Sequence, residues 1–164
     1  MTRSTKTTTL TEPRQLRLYL DTSVFGGVYD NEFKEASTML FDKIKVGKFK
    51  CIYSRLCLTE LEPAPDNVKT FFANLPKKNL EFVEIQSDAY DLARKYIAAK
   101  VVGKSSFDDC VHIATATICN ADFLISWNFK HIVNVFRIKN YNSVNMQNGY
   151  KSLDIRSPKE VIYD

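Results

Sequence analysis

Short apolar runs that read as strands alternate with segments of helical period along most of the chain, and this alternation restricts the fold more than any other feature. The run Leu16-Arg-Leu-Tyr-Leu20 ends on Asp21-Thr22-Ser23, where turn-forming residues and Gly26-Gly27 follow. Over residues 35–44, Ala36, Met39, Leu40 and Ile44 keep helical spacing, and Gly47 stands where that helix would stop. Cys51-Ile52-Tyr53 reads as a strand, and Ser54 as the cap of a helix that carries Leu56, Leu58, Glu60 and Leu61 as far as Pro63 and Pro65. A helix is expected over residues 66–74, a strand over 80–85, and then a long amphipathic helix capped by Ser87. Ser105 or Ser106 opens a helix so broadly apolar that it must be buried. A strand over 122–126 ends at Trp127-Asn128, and Asn148-Gly149 turns into a last strand over 150–155. Ser157-Pro158-Lys159-Glu160 combines a capping-box acid with proline at the first helical position. The order predicts an α/β chain, a three-layer α/β/α sandwich around a central, mostly parallel sheet.

With 164 residues, 45% of them apolar, 11 Phe and 8 Tyr, the chain has the material for one core. A single domain is therefore expected over residues 14–164, behind a flexible Thr- and Ser-rich tail over 1–13. Cys51, Cys57, Cys110 and Cys119 form no C-x-x-C pair and lie in apolar stretches, the pattern of packed thiols in a reducing cytosol. No apolar run approaches the roughly 18 residues of a membrane helix, and the N-terminus lacks a signal-peptide core, so a soluble cytoplasmic protein is expected. The net charge of +4 is spread along the chain, and by itself it reads first as a solvated mixed surface and only second as a mild preference for a polyanion.

In open α/β sheets ligands sit beyond the carboxyl ends of the strands. Asp21-Thr22-Ser23 and Ser126-Trp127-Asn128 follow two strands at that edge, Glu60 lies on a helix after a third, and Asp108-Asp109 open a helix that leads into a fourth. Carboxylates brought together raise one another's pKa unless a cation neutralises them. Magnesium suits such a group, because it takes hard oxygen ligands, keeps several waters and needs only a few carboxylates besides a substrate phosphate. That chemistry is phosphodiester hydrolysis.

On these residues the sequence resembles the PIN-domain nucleases, and more narrowly the bacterial toxins of VapC type. Leu18-Tyr-Leu-Asp-Thr-Ser23 resembles the family's opening strand and first acid, and Leu58-Thr-Glu-Leu-Glu62 is similar to the helix with its second. Asp109-Cys-Val-His-Ile-Ala-Thr-Ala116 resembles the third-acid helix, and Asn120-Ala-Asp-Phe-Leu-Ile-Ser-Trp-Asn128 the segment that usually reaches a fourth acid. The likeness runs over residues 16–134, and 135–164 match only loosely. It implies a PIN-like fold and an RNA-cleaving toxin of a type II toxin–antitoxin pair, homodimeric and held inactive by a small antitoxin. It also implies Mg²⁺ or Mn²⁺ bound by Asp21, Glu60 and Asp109. Asn128 stands where the fourth carboxylate is commonest and offers a carbonyl oxygen without charge.

Each of these residues has a plainer reading. Glu62 competes with Glu60, and either Asp108 or Asp109 can be a capping-box acid paired with Ser105 or Ser106; Glu60 and Asp109 are preferred for the metal, with Asp108 as a cap or as a support to the residues that touch it. Asn128 also makes a good N-cap. Thr22, Ser23 and Ser126 can bond a phosphate, orient an acid or simply form turns. Arg55, Lys104 and Lys130 lie close in sequence to these elements and suit either phosphate contacts or solvent. His112 and His131 lack a partner at zinc-ligand spacing, and His112 is expected to pack within its helix. Two other functions fit the sequence: a housekeeping RNA-processing nuclease, and a catalytically weak PIN-like module that binds RNA. An aspartyl phosphatase is set aside because Asp21 begins no Asp-x-Asp.

Overall fold

The structure, a computed structural model, describes residues 14–163; the flexible tail expected over 1–13 lies outside the described residues. Strands β1 (Leu16–Leu20), β2 (Phe49–Ser54), β3 (Leu80–Val83), β4 (Phe123–Ile125) and β5 (Asp154–Arg156) form one sheet in the order β3-β2-β1-β4-β5. Every pairing is parallel. The described helices are α1 (Thr22–Gly27), α2 (Lys34–Lys45), α3 (Arg55–Leu61), α4 (Asp66–Ala73), α5 (Ser87–Ala98), α6 (Phe107–Ile118), α7 (Val135–Gln147) and α8 (Pro158–Val161).

Alternation along the strands builds a core on each face of the sheet. Tyr19, Ile52, Leu124 and Ile155 pack on one face with Leu92 and Tyr96 of α5, Ile113 of α6 and Tyr141 of α7. Leu18, Leu20, Cys51 and Ile125 pack on the other with Phe25 of α1, Leu40 and Phe41 of α2, and Val68 of α4. The result is the three-layer α/β/α, PIN-like arrangement. The chain starts in the middle of the sheet, winds outward through β2 and β3, then returns to the far side of β1 as β4 and β5. The carboxyl ends of β1 and β4 therefore flank the point where the winding reverses, where such sheets open a crevice.

Several local expectations change. Residues after Asp21 form the helix α1 in place of a turn, with the Asp21 carboxylate accepting from Ser23 N at 2.8 Å. Gly27 is required there by packing, because a Cβ would lie 2.5 Å from Ser37 Oγ and 2.7 Å from Trp127 Nε1. Ser87 is the first residue inside α5, and the cap position belongs to Gln86. Ser106 precedes α6 without a side-chain cap bond, so the capping box expected with Ser105 or Ser106 is not formed. The final strand is only Asp154–Arg156. The helix α7 was not expected: it buries only Tyr141, Val144 and Asn145, too few apolar positions for a legible period. The Ser54 cap of α3 and the capping box of α8 form as expected. All four cysteines are free, and no described helix is long and apolar enough to cross a membrane.

Candidate functional site

Asp21 closes β1 and is almost fully buried, with 6% of its surface exposed. Its main-chain N–H donates to Ile125 O at 3.0 Å, which ties the end of β1 to the end of β4. Its Oδ1 accepts from Ser23 N, and its Oδ2 accepts from the hydroxyls of Ser23, at 3.2 Å, and Ser126. Ser126 Oγ in turn accepts from Asn128 N at 2.9 Å. Ser23 and Ser126 thus orient an acid, one of the readings open to them.

Glu60 reaches the same edge from α3, where Thr22 Oγ1 donates to its Oε1 at 3.1 Å. His112 Nε2 lies 2.5 Å from that oxygen. The other ring nitrogen, Nδ1, is 2.6 Å from the Tyr19 hydroxyl, which also meets Ser54 Oγ at 2.8 Å. Burial alone would lower the His112 pKa; the neighbouring Cys57 and Glu60 outweigh it and hold it well above the usual histidine value. For Glu60 burial pushes upward, but the bonds from His112 and Thr22 prevail and lower its pKa. His112 does pack in the core, yet it is also the anchor of a candidate site acid, a role missed in the sequence. The available signal was its place three residues after Asp109, which puts the two on one face of α6.

Asp109 differs from both other acids. It is half-buried and makes no hydrogen bond among the described residues. Burial, then the charge of Asp21 and to a lesser degree that of Glu60, raise its pKa; His112 and His131 pull it partly back. The three acids therefore sense one another. His131 was also missed, and its Nδ1 is a buried nitrogen without a hydrogen-bond partner.

The remaining candidates separate clearly. Asp108 is exposed. Glu62 lines a groove of about 440 Å³ between α3 and α4 with Leu58, Lys69 and Phe72, away from the Glu60–His112 contact. The side-chain oxygen of Asn128 accepts from His131 N at 2.9 Å, so it caps the turn after β4. Arg55 is exposed, pairs with Glu84 and lies over the Phe82 ring at 4.9 Å. Lys104 sits exposed in a 3-10 turn ahead of α6, and Lys130 is exposed beside Phe129.

Among the described residues no three His, Cys, Asp or Glu side chains form a ready-made metal cage. Both oxygens of Asp21 are committed, as is Oε1 of Glu60, whereas Asp109 and the second oxygen of Glu60 have no hydrogen-bond partner. This donor set fits a hard cation that takes one or two carboxylates and keeps its waters, as magnesium does. It does not fit a closed zinc site.

No family model matches the sequence, and no curated protein matches it. Solved structures do resemble the fold. One chain of VapBC2 from Rickettsia felis, determined bound to a DNA fragment from its promoter, aligns with a TM-score of 0.57 at 16% identity, covering 87% of this chain and 98% of that one. One chain of DNA-bound VapBC from Salmonella typhimurium aligns with a TM-score of 0.54 at 16% identity, covering 88% and 99%. The chain has the fold seen in these VapBC complexes, over nearly the whole length of the chains it matches.

Proposed function

We propose that this protein is a metal-dependent endoribonuclease that hydrolyses RNA phosphodiester bonds and acts as the toxin of a type II toxin–antitoxin pair. The observation that carries the reading is the half-buried Asp109 carboxylate, left without a hydrogen bond beside the charges of Asp21 and Glu60. Such an arrangement is costly in the protein alone and is relieved by a divalent cation. The fold shared with VapBC complexes and the sequence resemblance support the same reading, and an RNA substrate, an antitoxin partner, a homodimer and a cytoplasmic location follow from it as further proposals.

Asp109, Glu60 and Asp21 would hold the cation, directly or through its waters. When bound, Mg²⁺ or Mn²⁺ would acidify a water and stabilise charge on the cleaved phosphate. The protein's own residues supply position. Ser23 and Ser126 fix the rotamer of Asp21, and Thr22 and His112 fix that of Glu60. The test is cleavage of a defined single-stranded RNA pool with Mg²⁺ or Mn²⁺, with EDTA, and with Asp21→Asn. Metal-dependent cleavage that Asp21→Asn abolishes is expected; equal cutting by parent and variant overturns the reading.

A second reading has one observation in its favour. Asn128 brings no charge and its oxygen already caps a turn, which suits a module that binds RNA and cuts it weakly. RNA binding without metal-dependent cleavage in the same assay would select it.

A further inference from the structure

Beside Asp21 stands a group of rings that the acid chemistry leaves unused. Trp127 follows Ser126, and its main-chain N–H donates to Ser23 Oγ at 3.1 Å, so the ring group is tied to the same serine that holds Asp21. The indole is held in place: its Nε1–H donates to Ser37 Oγ at 2.9 Å, and its edge lies so near Gly27 that a Cβ there would come within 2.7 Å of Nε1. Phe33 stacks on it with ring centres 4.2 Å apart and planes 19° from parallel. Phe129 closes the group at 6.1 Å from Trp127 and 6.4 Å from Phe33, with 48% of its surface open to solvent.

Two lysines stand next to ring residues in the chain. Lys34 follows Phe33 and Lys130 follows Phe129; both are exposed, and neither makes an ion pair among the described residues. An aromatic surface with exposed lysines on adjoining residues is the combination that binds single-stranded nucleic acid, in which bases stack on rings and lysines meet phosphates. A more exposed apolar pair, Val135 and Phe136, lies at the start of α7, where Arg137 is bonded to Val101 O. Those residues lack both the backing rings and the link to Asp21.

We propose that Phe129, backed by Trp127 and Phe33 and with Lys34 and Lys130 on adjoining residues, is a subsite for an unpaired nucleobase of the RNA strand. This rests on the nuclease reading for its choice of ligand, and it assigns a residue to one base of the strand, which must be unpaired there because a base within a duplex has no free face to offer.

The experiment uses single-stranded oligoribonucleotides carrying 2-aminopurine, whose fluorescence falls on stacking, with the full chain in EDTA so that nothing is cut. The parent should quench the probe, and a fully paired version should not be quenched. Phe129→Ala should remove the quenching and weaken the Kd by about 5- to 150-fold. Phe129→Tyr should keep both, and the exposed position should leave Tm unchanged. Lys130→Ala should weaken binding and reduce the salt slope of log K by about 0.7. Undiminished quenching and Kd in Phe129→Ala would assign the rings to a protein partner and overturn the inference. RNA that is bound and quenched by the parent but never cleaved with metal would remove the nuclease reading alone, and a parent that binds no RNA would remove both.

Discussion

The two ends of the central sheet treat acidic side chains in opposite ways. At the amino-terminal end of β1, Arg17 holds Glu81 with Nε and Nη2 at 2.9 and 3.1 Å and donates to Cys119 O and Asn120 O, the last carbonyls of α6 and its turn. Asp122 accepts from Arg17 N at 2.8 Å and also pairs with Arg14. Every acid there has a cation, and the arrangement stitches helix to sheet. At the carboxyl-terminal end, Asp21 meets hydroxyls, Glu60 a hydroxyl and an imidazole, and Asp109 the charges of both, with no Lys or Arg bonded to any of them among the described residues. Paired acids serve the fold, whereas acids left in each other's company would, on the proposed function, await a charge that arrives from outside.

The largest effect that would break this contrast comes from Asp109. Folding raises its pKa, so the ionised carboxylate works against the native state once pH exceeds the unfolded value. Asp109→Asn is expected to abolish cleavage, by about a thousandfold or more, while raising Tm by roughly 2 °C in metal-free buffer. Added Mg²⁺ should raise the Tm of the parent and leave that of the variant where it is. A variant that melts lower than the parent would show that Asp109 is a structural acid after all.

Arg17→Met tests the opposite end. It strands Glu81 and two helix-terminal carbonyls, and urea unfolding should show a loss of about 2 kcal/mol. Cleavage per folded molecule should stay at the parental value, since no atom of the acid group touches Arg17. Loss of turnover at full folding would show that the two ends are not separable.

The Glu60–His112 contact gives a smaller effect with a distinctive pH dependence. His112 has a raised folded pKa, so its contribution is full below about pH 6.5 and is lost as pH rises through the higher folded value. Glu60 has a lowered one, so its contribution is present above about pH 4.3 and is lost as pH falls through the folded value. In metal-free protein, the stability difference between parent and Glu60→Gln should therefore be greatest between those limits and shrink on either side. A difference that is constant from pH 4 to 9 would deny the contact.

The smallest effect belongs to Arg55. It is exposed and already committed to Glu84 and the Phe82 ring, so Arg55→Ala should leave both Tm and RNA affinity within error of the parent. Measurable weakening of RNA binding would extend the nucleic-acid surface onto α3.

What the sequence made legible was whatever is written locally. The apolar run before Asp21, the Ser54 cap and the Ser157–Glu160 capping box are short-range patterns, and each appears as expected. Asp21 was visible because it ends a strand, but the same residue also caps α1, and that helix was hidden behind its glycines until the contacts of Gly27 with Ser37 and Trp127 were seen. Glu60 was preferred to Glu62 from the sequence, but the feature that sets it apart, a histidine 52 positions further on, is not local. The helix α7 escaped because its apolar face is nearly absent, and the Phe33–Trp127 stack because it joins residues far apart in the chain.

The winding of the sheet also bears on when such a centre can exist. Asp21 and Glu60 lie in the first half of the chain, whereas Asp109 and the Ser126 hydroxyl lie in the second, so residues up to 126 must leave the ribosome before the set is complete. A product that stops short of β4 lacks two of the five strands and the Ser126 hydroxyl that clamps Asp21. If the proposed function holds, incomplete chains would thereby be harmless to the RNA from which they are translated.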